Sequence, residues 1–358
     1  MKRNGRIAAL LLALLLLAGC AGNGGGNTLD FRPEGTTAQT DAEIKSIYDT
    51  DQNSLQCLWI DPNADLMKEE AEYSFAENVT YTGEKLAYRA IVTNPAEVPI
   101  VHTLFLNANG NMQPFQINGA DEVVSYTYTL QPKEEKELLL TFDPIYAPYG
   151  EKGTIKLYEF WQAAKTDELI DLLKQNNNDF SSQYLYKLNF YYRNIYIQAD
   201  SLANERKIEA FVNEAGENSP QKLIYEDKNK QEQGSISGVT FGEPSLDSDG
   251  ERVRNEINIA WNKNDPLYAR SQNSGDKNVR IFIFLDGELL KCINGQYFAD
   301  YYQSKDVVRN IPLDTSILPQ SGDHIITGCA TYTDYNTMEE VPSTGRAVEI
   351  TNLHLLQV

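Results

Sequence analysis

The stretch NVRIFIFLDGELLKCI, residues 278–293, indicates the fold class of this chain. Its Asp286-Gly287 pair has the composition of a type I′ turn and joins two apolar arms. An arm that is apolar on both faces is typical of a central strand covered on both sides. One face of the first arm carries Val279, Ile281, Ile283 and Leu285, and the other face carries Phe282 and Phe284.

Alternation of apolar and polar residues also marks strands in the first half of the chain. VVSYTYTLQP, residues 123–132, places Tyr126, Tyr128 and Leu130 on one face. Several such short runs follow one another with turn residues between them, a pattern typical of a β-sandwich. We therefore predict a mainly β fold, with two antiparallel immunoglobulin-like β-sandwich domains and a short connecting helix.

The connecting helix is predicted after Thr166-Asp167-Glu168, which offers an N-cap and an acidic first turn. An asparagine run at 176–178 ends it. We take this helix and the asparagine run as the junction of the two domains. The apolar face of the helix carries Leu169, Leu172 and Leu173.

The N-terminus carries a secretory signal. Lys2, Arg3 and Arg6 precede an apolar run at 7–18, which is too short for a transmembrane helix. The run closes on a leucine, two small residues and the cysteine Cys20.

This Leu17-Ala18-Gly19-Cys20 sequence resembles the lipobox of bacterial lipoprotein precursors. The resemblance implies cleavage before Cys20 and a covalent diacylglycerol on its sulfur, and we predict no other cofactor. Two acyl chains anchor a protein stably where one would not. The chain is therefore expected at the cell membrane, lipid-anchored and facing the extracytoplasmic side.

The predicted organisation has four parts. They are a signal peptide at 1–19, a flexible tether rich in glycine and asparagine at 20–39, a first β-sandwich domain with short helices at 40–178, and a second at 179–358. The body resembles tandem immunoglobulin-like domains, and this architectural resemblance carries no functional residues across.

The chain is acidic, with 51 acidic and 31 basic side chains and a net charge of −20. This charge argues against a nucleic-acid partner and against adhesion to anionic lipid. The expected partners are the membrane, through the anchor, and an envelope glycan or protein. Cys292 and Cys329 could form a disulfide or remain as buried free thiols.

Two aromatic groups are candidates for ligand stacking, because tyrosine rings pack against the apolar faces of sugars. For both groups we favour the alternative that the rings pack at the interface between the domains. The first candidate set is Tyr297, Phe298, Tyr301 and Tyr302. The second is Phe180, Tyr184, Tyr186, Phe190, Tyr191, Tyr192 and Tyr196.

A weak calcium motif is present at Asp247, Asp249 and Glu256, which match acidic positions of an EF-hand loop. Ser245 stands where the first acid is expected, and a turn leading into a strand explains the same residues. We therefore predict no metal site and no catalytic residues.

The sequence favours a lipid-anchored envelope protein that acts as a non-enzymatic binding or structural module. One alternative is an extracytoplasmic hydrolase that acts on polysaccharide through paired carboxylates. A further alternative is a transporter-associated binding lipoprotein.

Overall fold

The computed structural model assigns Ile44–Val358 to one compact unit, and every residue described below belongs to it. The predicted signal, the tether and Cys20 lie outside the described residues, as do Asp247, Asp249 and Glu256. The described residues are 55–60, 78–94, 96–175, 189–207, 225–227, 238–242, 258–272, 277–303, 308–333, 349–350 and 353–358.

The fold is mainly β, as predicted, and its first ten described strands form two sheets. Sheet 1 has the order β1-β3-β8-β6, and sheet 2 has the order β2-β10-β9-β4-β5 with β7 beside β4. We call them the first sheet pair. The strands are β1 Leu55–Ile60, β2 Asn78–Tyr81, β3 Leu86–Thr93, β4 Ile100–Ala108, β5 Asn111–Gln113, β6 Gln116–Ile117, β7 Ser125–Leu130, β8 Glu135–Phe142, β9 Gly153–Ala163 and β10 Asn189–Ala199.

The remaining described strands form the second sheet pair. Sheet 3 has the order β11-β18-β14-β12, and sheet 4 has the order β13-β21-β19-β15-β16 with β17 beside β15 and β20 beside β19. The strands are β11 Tyr225–Asp227, β12 Gly238–Gly242, β13 Asn258–Ala260, β14 Tyr268–Gln272, β15 Lys277–Leu285, β16 Glu288–Leu289, β17 Phe298–Gln303, β18 Val308–Pro312, β19 Asp323–Thr333, β20 Glu349–Ile350 and β21 His354–Gln357.

Each sheet pair encloses an apolar core, and a third apolar cluster lies between sheets 2 and 4. Strand β4 shows how this follows from the two-residue period of a strand. Its Leu104 and Leu106 point into the first core, whereas Phe105 points into the third cluster. We call this third cluster the seam. Sheets 2 and 4 are therefore covered on both faces.

The predicted hairpin is confirmed. Asp286 has φ 49° and Gly287 has φ 90°, so both central residues take the left-handed conformation of a type I′ turn. Leu285 pairs with Glu288 across the turn. Strand β15 is also central, since Ile281 and Ile283 lie in the second core while its phenylalanines lie in the seam.

The helix, α1, spans Asp167–Gln175, and its predicted start is confirmed. The Thr166 hydroxyl accepts a hydrogen bond from the Leu169 amide at 3.2 Å. Two 3₁₀ turns, Leu202–Asn204 and Thr315–Ile317, complete the described helical segments. Within the described residues, no helix is both long enough and apolar enough to cross a membrane.

Two features of the predicted arrangement need correction. The strand pairing is mostly antiparallel, but β2 pairs with β10 in parallel, and so does β13 with β21. The chain also leaves the first sheet pair later than predicted. Strand β10, placed by sequence in the second domain, pairs with β9 along Asn189–Ile197 and therefore belongs to sheet 2.

Candidate functional site

The seam is an aromatic layer shared by both sheet pairs. The Phe160 and Phe284 rings stack with their centroids 3.8 Å apart. The Phe105 and Phe282 rings meet at 4.9 Å. Large apolar rings contribute most of the burial energy of such interfaces. The fully or nearly buried rings of the layer are Phe105, Tyr158, Phe160, Phe190, Tyr192, Phe282 and Phe284.

Helix α1 covers one side of the seam. Its Leu169, Ile170 and Leu173 are buried in the aromatic layer. The Lys174 ammonium donates to Asp323 Oδ2 at 2.7 Å. This hydrogen bond lowers the pKa of Asp323 and raises the pKa of Lys174. The helix thus contacts both sheet pairs at once.

The β15–β16 hairpin closes one end of the seam against strand β4. The Thr103 hydroxyl donates to the Gly287 carbonyl at 2.6 Å. A side chain on Gly287 would place its Cβ 2.3 Å from Val101 Cγ1. Lys165 donates to Asp286 Oδ2 at 2.9 Å, and His324 Nδ1 lies 2.7 Å from the same oxygen. The turn is therefore held by backbone, hydroxyl and charged contacts.

The other end of the seam is polar. Beyond the aromatic rings, sheet 2 presents a cross-strand row of Asn107, Lys156 and Asn194, in register on β4, β9 and β10. Sheet 4 presents the corresponding row of Asp300, Arg280 and Thr331, in register on β17, β15 and β19. We call these two rows the polar layer.

Arg280 joins the two rows. Its guanidinium holds Asp300 in a bidentate pair, with Nε–Oδ1 at 2.7 Å and Nη2–Oδ2 at 2.8 Å. Its Nη1 donates to Asn107 Oδ1 at 3.0 Å across the seam. The guanidinium also lies over the Phe298 ring, 4.5 Å from its centroid. The charges of Arg280 and Asp300 therefore neutralise each other.

Three other polar atoms of this layer are buried without a hydrogen-bond partner among the protein's described residues. They are Asn107 Nδ2, Asn194 Oδ1 and Thr331 Oγ1. An unpaired buried polar group costs about 1–3 kcal/mol. Gln162 in the seam and Asn310 in sheet 3 have such atoms as well, so they are not peculiar to the polar layer.

A second buried polar group lies inside the first core. The His102 ring stacks on Trp161 at 3.8 Å, and its Nδ1 contacts the Tyr128 hydroxyl. Its Nε2 is 4.0 Å from Glu159 Oε2, too far for a hydrogen bond. Complete burial lowers the pKa of His102 well below its ordinary value. We therefore treat this histidine as neutral.

The structure separates Tyr301 from the other described side chains of the set predicted to stack on a ligand. Tyr301 points into the second core and is 3% exposed, so it cannot stack on a ligand. Tyr297 and Phe298 are half-buried against the seam. The side chain of Tyr302 lies outside the described residues. Among the described side chains of this set, Tyr297 and Phe298 therefore remain candidates for ligand contact.

Two of the described members of the second aromatic group lie at the interface between the sheet pairs. Phe190 and Tyr192 are buried in the seam, as the packing interpretation predicts. Tyr196 is 37% exposed. The side chains of Phe180, Tyr184, Tyr186 and Tyr191 lie outside the described residues.

Cys292 and Cys329 are buried free thiols, so the disulfide alternative is wrong for this pair. Cys292 points into the second core and Cys329 into the seam. Burial raises the pKa of both thiols, to about 12 for Cys292.

Among the described side chains, no group of three or more His, Cys, Asp and Glu residues is placed to hold a metal ion. The carboxylates of the seam are held by cations: Asp286 by Lys165, Asp300 by Arg280 and Asp323 by Lys174. These three acids give no support to the hydrolase alternative, which requires paired carboxylates.

Sequence reasoning missed the polar layer. Its residues come from six strands, and in sequence nothing distinguishes each of them from the other polar residues of its strand. Only the register of the sheets brings them together. A partial signal was the polar position Arg280 on the phenylalanine face of an otherwise apolar arm.

Comparison with known proteins assigns no family. No protein-family model matches the chain, and no curated protein matches it. Solved structures that resemble it include an MSP-domain protein, SSP-19, from Caenorhabditis elegans, at 13% identity over 34% of this chain and 95% of that chain, with a TM-score of 0.21. A second is the Escherichia coli chaperone DraB, at 7% identity over 79% of this chain and 96% of that chain, with a TM-score of 0.24. A third is the Salmonella enterica SafA pilin in complex with the SafB chaperone, at 11% identity over 79% of this chain and 94% of that chain, with a TM-score of 0.24.

Proposed function

We propose that this protein is a lipid-anchored module of the cell envelope that binds a glycan or protein partner without catalysing a reaction. In this proposal, Cys20 carries the diacylglycerol, residues 21–39 form the tether, and the body faces the extracytoplasmic side. The two sheet pairs correspond to two immunoglobulin-like sandwiches joined at the seam.

The observation that carries the binding role is the rim of the seam, where Tyr297 and Phe298 lie half-buried and the Phe298 ring lies against the Arg280 guanidinium of the polar layer. Aromatic rings next to a few convergent polar groups are typical of recognition sites. The shared aromatic layer supports the same role, because a surface held rigid before binding loses less entropy when it binds.

The anchor is tested in a bacterial host by labelling with a radioactive fatty acid. The full-length chain should take up the label and sediment with membranes, whereas Cys20→Ala should do neither. Unlabelled wild-type protein in the soluble fraction would contradict the anchor and leave the binding role open.

The binding role is tested with the mature chain carrying Cys20→Ser. It should be retained by purified envelope polysaccharide or by a solubilised envelope protein. Tyr297→Ala combined with Phe298→Ala should weaken retention at least tenfold. Tyr149→Ala is the matched control, because this ring is 46% exposed and is not part of the seam. Release of new reducing ends from the polysaccharide would show instead that the protein is a hydrolase.

A further inference from the structure

The two sheet pairs repeat one arrangement of strands. In sheet 2, β4 lies between β9 on one side and β5 and β7 on the other, and β9 leads on to β10 and β2. In sheet 4, β15 lies in the same way between β19 and the strands β16 and β17, and β19 leads on to β21 and β13. The outermost pairing is parallel in both sheets. Sheets 1 and 3 agree as well, because β1, β3 and β8 have the same order as β12, β14 and β18.

The two hairpins fix which residues correspond. The β4–β5 turn is Asn109-Gly110, and both of its residues have a positive φ, as Asp286-Gly287 has in the β15–β16 turn. Counting back from the two turns makes Phe105 the counterpart of Phe282. Strands β7 and β17 keep the same alignment, since each begins opposite this phenylalanine. Residues of the two sheet pairs can therefore be matched one to one.

The two turns contact counterpart positions at opposite ends of the seam. The Thr103 hydroxyl donates to the Gly287 carbonyl at 2.6 Å. Arg280 is the counterpart of Thr103. Its Nη2 would lie 3.5 Å from a Cβ placed on Gly110, which is the counterpart of Gly287. Each turn therefore packs on the same position of the central strand in the other sheet pair.

The middle of the seam obeys the same relation. Phe105 and Phe282 are counterparts, and their rings contact each other at 4.9 Å. If the sheets stacked in the same direction, the two turns would also contact each other. Instead each turn contacts the opposite strand, which is the pattern that a two-fold axis generates in a self-complementary interface.

The side chains behind the two contacts match as well. Thr103 Oγ1 lies 2.8 Å from Thr127 Oγ1 on β7, and Arg280 pairs with Asp300 on β17. Thr127 and Asp300 are counterparts, because each lies directly opposite the residue that it contacts. The Arg280–Asp300 pair of the polar layer therefore stands where the hairpin end has two hydroxyl groups.

This relation also accounts for the polar composition of one end of the seam. At the hairpin end, Phe160 stacks on Phe284. At the other end, their places are taken by Thr331 and Asn107. The polar layer is thus the counterpart of the aromatic contact at the hairpin end.

We propose that the seam is an isologous interface between two equivalent β-sandwich units, related by an approximate two-fold axis that passes between Phe105 and Phe282. The partner that each seam face fits is a second copy of the same unit, and the chain itself supplies that copy. This inference rests on the two-sandwich arrangement in the proposed function. It leaves the rim and the outer surfaces, rather than the seam, for an external partner.

Paramagnetic broadening of amide signals tests the axis. The protein is the mature chain with Cys20→Ser and Cys57→Ser, carrying one nitroxide label at Asn111→Cys or at Glu288→Cys. These positions are counterparts, each directly after a turn. Amide relaxation is compared between the oxidised and the reduced label, and an unchanged Tm is the control for each variant. Asn109→Cys, exposed in the same turn, is the second labelling site should Asn111→Cys lower Tm.

The axis predicts equal effects at the two ends of the seam. The label at position 288 should broaden the Thr127 amide, and the label at position 111 should broaden the Asp300 amide to the same extent. Strands rise about 3.3 Å per residue and stacked sheets lie about 10 Å apart, so the two labelled positions are about twice as far from each other as from these amides. Because broadening falls with the sixth power of distance, each label should affect the other's position more than tenfold less.

Other results overturn the inference. Broadening of Thr127 without broadening of Asp300 would show that the hairpin contact has no counterpart, and strong mutual broadening of positions 111 and 288 would show that the sheets stack in the same direction. Either result rejects the axis and leaves the binding role intact. The label at position 111 should also broaden Ala108 of its own sheet. Loss of that effect would reject the two-sandwich arrangement of the proposed function as well.

Discussion

His102 lies in the first core between Trp161 and the Tyr128 hydroxyl, with no exposed surface. Burial lowers the pKa of its imidazole, so the folded protein holds it neutral. In the unfolded chain the ring takes up a proton near pH 6.5. The contribution of His102 to stability is therefore complete above about pH 6.5 and is lost as the pH falls, by up to about 1.4 kcal/mol per pH unit.

We predict that His102→Gln flattens this acid dependence. The variant should be less stable at pH 7.5, by about 1–3 kcal/mol, because the ring packing and its hydrogen bond are lost. Between pH 6.5 and 5, however, its unfolding free energy should fall less steeply than that of the wild type. The measurement is urea unfolding at each pH.

Tyr128→Phe is the control for this experiment, since it removes the hydroxyl partner but keeps the buried imidazole. It should retain the steep wild-type dependence on pH. An equally steep dependence in His102→Gln would show that other groups cause the acid destabilisation.

The two buried thiols make a separate prediction at the scale of single residues. Disulfide reagents react with thiolates and not with thiols. Burial raises the pKa of both Cys292 and Cys329, to about 12 for Cys292. In a Cys20→Ser, Cys57→Ser variant, neither thiol should react with Ellman's reagent while the protein is folded. Both should react in denaturant. Rapid reaction of one thiol in the native protein would mean that its core opens locally.

At the scale of elements, the β15–β16 turn is the most constrained position. We predict that Gly287→Ala destabilises the protein by about 3 kcal/mol or more, because it combines a positive φ with a contact of 2.3 Å to Val101. The measurement is the midpoint of denaturant unfolding by circular dichroism.

Gly295→Ala is the matched control for that turn. Gly295 also has a positive φ, 69°, but nothing lies within 4 Å of a Cβ there. Gly295→Ala should therefore lower the unfolding free energy by only about 1 kcal/mol, the effect of placing alanine in this backbone conformation. Similar effects of the two substitutions would show that Gly287 does not lie in close contact with Val101 of β4.

Sequence predicts local elements well here and long-range pairing poorly. The Asp286-Gly287 turn and the Thr166 cap are fixed by neighbouring residues, and both are correct. Phe190 and Tyr192 lie two residues apart, as on one face of a strand, but such spacing does not reveal which sheet a strand joins. Strand β10 was therefore assigned to the wrong half. The polar layer was missed for the same reason, since Asn107 and Arg280 meet only through tertiary packing.

At the scale of the whole molecule, the seam should make the two sheet pairs unfold together. Neither sheet 2 nor sheet 4 could expose its seam face without losing the burial of several aromatic rings. A shared core of this kind couples its parts, so that destabilising one sheet pair destabilises the other.

Phe284→Ala tests this coupling, because Phe284 belongs to the second sheet pair and stacks on Phe160 of the first. Trp161 in the first core and Trp261 in the second are the probes, each as the only tryptophan of its variant. Loss of a buried phenylalanine costs about 3–5 kcal/mol. We expect Phe284→Ala to lower both unfolding midpoints by the same amount, because one transition governs both cores. A midpoint that falls for Trp261 while Trp161 keeps the wild-type value would show that the first sheet pair is stable without the seam.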